Sequence, residues 1–158
     1  MDEKVSEANE KHSYFKLTFC GALSALDLTP KEWNEAFQKV ETEVSVFQDF
    51  DFDEFISIEG ICYAVIDLAY EITFKSLCDF VKSSEINENS KKTLSGILML
   101  FSRGAAKLNS VYSNSLSLDL LAMANDISLI PKYGEYEFHP LAILRRLTCD
   151  YMHSLPSD

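Results

Sequence analysis

The sequence predicts a single all-α domain over residues 1–158, a bundle or compact stack of about six helices with no significant sheet. Apolar residues recur at helical spacing through most of the chain, and the connections between these stretches are short. With 47% apolar residues the chain can form a core without a metal or a disulfide. No repeat of about 30–45 residues indicates a helical array.

The second of the predicted helices has the clearest start. Residues 1–10 are polar and predicted to be loose, and a first helix is expected over residues 7–26. Thr29 and Glu32 then form a capping box, with Pro30 at the first helical position. An apolar stripe follows, made of Trp33, Phe37, Val40, Val44 and Phe47. We therefore expect this helix to end near Phe47 and to turn the stripe toward the core.

The remaining elements follow from periodicity and from turn residues. A third helix is expected over residues 54–81, weakened at Gly60, and residues 83–90 form a linker. A fourth helix, over residues 90–112, contains Gly96 and Gly104, which are either tolerated or allow a close helix crossing. A fifth is expected over residues 116–130, followed by a turn at 131–134 and a strand-like stretch at 135–139. Pro140 opens a sixth helix that ends near His153, and residues 154–158 are predicted to be loose.

Acidic charge is concentrated in the first part of the chain. The formal net charge is -11, and residues 1–60 hold 14 acidic against 5 basic side chains, whereas residues 61–158 hold 11 against 9. Such a field attracts basic proteins and repels nucleic acid and anionic membranes. The sequence therefore predicts a basic protein partner, with no direct nucleic-acid binding and no membrane binding.

Two segments combine aromatic and acidic side chains in the way that protein interfaces do. The first is the acidic stretch of the chain, and the second is the segment between residues 133 and 139, which Arg145 and Arg146 follow. The predicted partner-binding residues are Glu41, Glu43, Asp49, Phe50, Asp51, Phe52, Asp53 and Glu54 in the first segment, and Tyr133, Glu135, Tyr136 and Glu137 in the second. The alternative for the first segment is a set of core aromatics beneath an idle acidic surface, and the alternative for the second is a loop that folds back to cover the end of the bundle.

No metal or cofactor is expected. The spacing of Asp49, Asp51 and Asp53 is typical of a calcium loop, but Glu54 stands where glycine is needed and Gly60 where glutamate is needed. Cys20, Cys62, Cys78 and Cys149 each lie in an apolar helical pattern, which favours buried free thiols and a reducing, cytoplasmic compartment over two disulfides. Residues 1–13 lack the apolar stretch of a signal peptide.

Three classes of function remain open. A non-enzymatic protein that neutralises or regulates a basic partner is favoured, for example an immunity protein against a toxin nuclease, because nucleases are basic where they hold phosphates. The first alternative is a helical small-ligand or sensor domain. The second is an enzyme that uses His139, or Cys149 with His153 four residues later on one helix face.

Overall fold

The computed structural model describes residues 28–45, 58–108 and 111–154, and it is an all-α bundle. The predicted first helix, the acidic residues 49–54 and the last four residues lie outside the described residues. The described elements are α1 (Pro30–Ser45), α2 (Ile58–Leu68), α3 (Glu71–Lys82), α4 (Glu88–Lys107), α5 (Ser113–Asn125), the 3₁₀ helices η1 (Ile127–Lys132) and η2 (Tyr136–Phe138), and α6 (Pro140–Ser154).

The capping box at the start of α1 is confirmed. The backbone N–H of Glu32 donates to Thr29 Oγ1 at 3.2 Å, and the N–H of Thr29 donates to Glu32 Oε1 at 3.0 Å. These two bonds satisfy amide groups that a helix start otherwise leaves without partners. The bond that the Thr29 N–H donates to the carboxylate lowers the pKa of Glu32. The apolar stripe is buried at Trp33, Phe37 and Val40, as its spacing predicts.

An aromatic cluster joins α1 to α3 at the centre of the bundle. The ring of Trp33 lies 5.4 Å from that of Phe37 and 5.8 Å from that of Phe80. The indole Nε1 donates to Ser76 Oγ at 2.8 Å, and this hydroxyl donates to the carbonyl oxygen of Leu28 at 2.8 Å. The polar atoms that enter the core with the tryptophan are therefore satisfied.

The prediction of one helix over residues 54–81 is wrong, because the chain breaks at Ala69 and Tyr70 into α2 and α3. Tyr70 has an extended backbone with φ -62° and ψ 141°, and the carbonyl oxygen of Ala69 accepts a hydrogen bond from the hydroxyl of Tyr136. A contact distant in sequence thus satisfies a carbonyl that the break removes from the helix. Gly60, where a kink was expected, lies buried inside α2.

The helices α4 and α5 form a hairpin with a polar seam. Ser102 Oγ donates to the carbonyl oxygen of Ser117 at 2.7 Å, and Ser117 Oγ donates to that of Ser102 at 2.9 Å. On another face of α4, a Cβ atom built at Gly104 would lie 3.0 Å from Ile61 Cγ2 on α2. Gly104 therefore allows a close helix crossing, whereas Gly96 is exposed with no atom near its Cβ position.

Several predicted boundaries are wrong by a few residues, and one element is of the wrong type. α4 begins at Glu88 because Asn87 caps it, its side chain accepting from the N–H of Ser90 at 2.8 Å. The fifth helix covers Ser113–Asn125 and gives way to η1, whose first turn Asp126 caps. The strand-like stretch forms η2, since a short segment with no partner strand satisfies its amides locally.

Candidate functional site

A surface groove of about 370 Å³ lies between η2 and α6. We call it the α6 groove, and its lining consists of Tyr136, Glu137, Phe138, Ala142, Arg145, Arg146, Cys149 and Asp150. The members on α6 are separated by three, one, three and one residues, which places them along one face of the helix. Phe138 is 69% exposed, so the groove presents a large aromatic surface to solvent.

His139 fixes η2 against the start of α6. It occupies the residue before Pro140, and its Nδ1 accepts from the backbone N–H of Leu141 at 3.1 Å, as an N-cap side chain does. Because Nδ1 accepts, the proton is on Nε2, which donates to the carbonyl oxygen of Ile130 at 2.6 Å. The ring is fully buried, and burial lowers its pKa.

Aromatic rings hold this segment in place. The ring centroid of Phe74, on α3, lies 4.4 Å from that of His139 and 5.1 Å from that of Tyr136. The ring centroids of Tyr133 and His139 are 5.6 Å apart in an edge-to-face arrangement. Burial raises the pKa of both tyrosines, and the positive charge of Arg145 opposes this rise at Tyr136. The wall of the groove is therefore built on a packed scaffold and not on a loose loop.

Arg145 is the charged group at the centre of the lining. Its guanidinium carbon lies 5.1 Å from the centroid of the Tyr70 ring, a cation–π contact. Its Nε atom is buried and donates to no acceptor among the described residues, and Tyr70 itself is 56% exposed. Arg145 forms no ion pair with a carboxylate of a described residue.

The predicted partner-binding residues fall in different places. Tyr136 and Glu137 line the α6 groove and Glu135 is exposed beside it, whereas Tyr133 is half-buried against His139. Glu41 is exposed on α1, a helix that packs on α3 and α4 and not on the groove. Glu43 belongs to the same helix, and its side chain is outside the description. The other six, Asp49, Phe50, Asp51, Phe52, Asp53 and Glu54, lie outside the described residues.

The groups considered for catalysis differ in their surroundings. Both ring nitrogens of His139 are engaged by the backbone, and His153 Nδ1 lies 2.8 Å from the carbonyl oxygen of Cys149, so that ring bonds the backbone of its own helix. Cys62, Cys78 and Cys149 are free thiols. Burial raises the pKa of Cys62 and of Cys78 to about 11, which keeps both protonated near neutral pH.

No group of three or more metal-binding side chains occurs within residues 28–45, 58–108 and 111–154. Over the same residues, no helix has the length and apolarity that crossing a bilayer requires.

Sequence reasoning missed two contributors to the site. Asp150 follows Arg146 by four residues, a spacing that places both on one helix face and could have indicated it. Tyr70 had no local signal, because neither glycine nor proline marks the break between α2 and α3 that brings its ring under Arg145.

In comparisons with known proteins, no family model, curated protein or solved structure matches the chain. The fold and the groove by themselves define an all-α protein with a surface site of exposed aromatic and charged side chains.

Proposed function

We propose that this protein is a non-enzymatic binding protein that neutralises or regulates a basic protein partner through the α6 groove and its acidic surface. The observation that carries this proposal is the composition of the groove. Exposed Phe138, half-buried Tyr136 and Arg145 are of the residue types that contribute most energy at protein interfaces. Glu135 and Glu137 add acidic charge beside these anchors.

The charge distribution supports a basic partner. The described residues hold 15 acidic and 11 basic side chains, so they account for -4 of the net charge of -11. Lys91 and Glu88 form an ion pair, and within the described residues the excess of acidic over basic side chains remains. Excess negative charge speeds encounter with a cationic surface and sets partner choice more than it adds affinity.

The engaged state of His139 favours this proposal over an enzyme that uses this histidine. A general base needs a nitrogen within reach of a substrate proton, and both nitrogens of His139 already contact the backbone. The small-ligand alternative retains one supporting observation, since a volume of about 370 Å³ suits a small molecule. Native mass spectrometry of the purified chain tests that alternative through a co-purified mass.

The test of the proposed function is affinity capture by the full chain at about 50 mM and about 500 mM salt, followed by identification and purification of the captured protein. We expect a basic protein whose dissociation constant rises at least about tenfold over that range. Glu137→Gln weakens the complex, whereas the matched control Glu85→Gln, on an exposed site away from the groove, leaves it unchanged. An acidic partner, or equal affinity at both salt concentrations, contradicts the proposal.

A further inference from the structure

We propose that the α6 groove binds a carboxylate side chain next to an apolar side chain, within one segment of the protein partner. This inference rests on the proposed function, because it assumes that the occupant belongs to a protein. The carboxylate pairs with Arg145, and the apolar side chain packs on the exposed ring of Phe138. The two features lie in one groove, so a single short segment can reach both.

The state of Arg145 carries the first step. Its guanidinium carbon lies 5.1 Å from the centroid of the Tyr70 ring, and the group makes no hydrogen bond or ion pair with a described residue. The buried Nε has no acceptor among the described residues, and Arg145 as a whole is half-buried, so part of the side chain reaches solvent. Two parallel N–H donors on one planar group match the two oxygens of a carboxylate.

The aromatic surface carries the second step. Phe138 ends η2 with 69% of its surface exposed, and the residue that follows is the buried His139. The backbone of η2 is therefore fixed while the phenyl ring faces solvent at the groove. A ring of this kind gains most from an apolar partner, because covering it removes apolar surface from water without unpairing a polar group.

The charges of the lining select a carboxylate over a phosphate. Arg145 and Arg146 are balanced by Glu137 and Asp150, so the groove has no excess positive charge, and the whole chain carries -11. A phosphate near charge -2 is repelled by both acidic side chains, and nucleic acid or an anionic membrane brings many charges at once. A single carboxylate requires only the guanidinium of Arg145.

The test uses three capped peptides as probes: acetyl-Phe-Glu-Leu-amide, its glutamine analogue and its phosphoserine analogue. Binding to the full chain is followed by chemical shifts of the backbone amides. We expect saturable shifts within residues 136–150 for the glutamate peptide, with a dissociation constant on the order of 1 mM, and binding at least about tenfold weaker for the other two.

Two variants that each remove one positive charge distinguish binding at Arg145 from a general effect of net charge. Arg145→Gln is expected to weaken the glutamate peptide about tenfold, whereas Lys92→Gln, on the exposed face of α4, leaves its affinity unchanged. Arg145→Lys retains the charge but loses the planar pair of donors, and it is expected to bind as weakly as Arg145→Gln. An amide spectrum of each free variant verifies that it is folded.

Three results would overturn the inference: equal affinity for the glutamate and glutamine peptides, tighter binding of the phosphoserine peptide, or shifts confined to residues away from the groove. None of these results would contradict the proposed function, whose test is the salt-dependent capture of a basic protein. The converse outcome is that the chain binds the glutamate peptide at Arg145 and yet captures no basic protein. That result would contradict the proposed function but support carboxylate binding in the groove.

Discussion

His139 shows how one side chain can belong to the candidate site and yet have a structural role. It caps α6 through Nδ1, ties α6 to η1 through Nε2, and packs beneath Phe74 and Tyr133. Protonation would place a hydrogen on Nδ1 facing the N–H of Leu141, and a positive charge at the N-terminal end of a helix. Both effects disfavour the charged ring in the folded protein.

The pKa of His139 therefore predicts how stability depends on pH. Burial lowers this pKa below 6.5 in the folded state, so the unfolded chain binds more protons just below that pH. The contribution to stability is complete above pH 6.5 and is lost as the pH falls toward the folded-state pKa. Urea unfolding at about pH 7.5 and about pH 5.5 should show a lower free energy of unfolding at the acid pH.

His139→Gln removes this titration. We expect the variant to lose about 1–3 kcal/mol at neutral pH through its poorer hydrogen bonds, and to lose less than the wild-type protein on acidification. The matched control is His153→Gln, which removes an exposed imidazole and should keep the wild-type pH dependence. Equal losses on acidification for wild type and His139→Gln would show that another group controls it.

At the scale of elements, α4 contains two glycines in different surroundings. Gly96 is exposed with no atom near its Cβ position, whereas the Cβ of an alanine at Gly104 would lie 3.0 Å from Ile61 Cγ2. That methyl group belongs to a β-branched side chain on a helix, and one strongly preferred rotamer limits how far it can move. The two positions therefore form a matched pair within one helix.

We predict opposite effects of alanine at these positions. Gly96→Ala should raise the free energy of unfolding by about 0.5–1 kcal/mol, because alanine loses less backbone entropy in a helix. Gly104→Ala should lower it by about 1–3 kcal/mol, since Ile61 or the two helices must shift by a few tenths of an ångström to admit the methyl group. Thermal and urea unfolding measure both, and a stabilised Gly104→Ala variant would contradict the close crossing.

Local signals explain which elements the sequence could predict. The start of α1 and that of α6 depend on Thr29, Pro30, Glu32 and Pro140, whose effects act within one helical turn. At the end of α2, the carbonyl oxygen of Ala69 accepts a hydrogen bond from Tyr136, across 67 positions of the chain. No window of sequence contains both partners, so periodicity alone continued the helix through the break.

The same distinction applies to the candidate site. The segment between residues 133 and 139, with Arg145 and Arg146, could be singled out because its aromatic and charged residues are close in sequence. The buried position of His139 depends on Phe74 and Ile130, and the orientation of Arg145 depends on Tyr70. These contacts join different helices, which is why the sequence left the histidine open as a catalytic group.

At the scale of the whole molecule, charge and contact surface are separate properties. The described residues contribute -4 of the net charge of -11, so most of the acidity belongs to residues outside them, and Asp49, Asp51 and Asp53 are part of it. The α6 groove, by contrast, carries balanced charges and the aromatic anchors. Long-range charge acts on the rate of encounter, whereas short-range contacts act on the rate of dissociation.

This separation predicts different kinetic effects for two sets of variants. Replacing Asp49, Asp51 and Asp53 together by asparagine removes three negative charges, and it should slow association with the captured basic partner roughly three- to tenfold at about 50 mM salt. Dissociation should change by less than about twofold, and the effect on association should vanish near 500 mM salt, where screening removes steering. Arg145→Gln should instead speed dissociation about tenfold and leave association nearly unchanged.

Stopped-flow or surface-based kinetics at both salt concentrations measure the two rates directly. Lys92→Gln is the control for Arg145→Gln, because it removes one positive charge from an exposed site on α4. If the triple asparagine variant dissociates faster and associates at the wild-type rate, those aspartates are contact residues and do not steer. If Arg145→Gln alters association alone, its charge and not its contact in the groove is what the partner senses, because a lost contact shortens the lifetime of a complex.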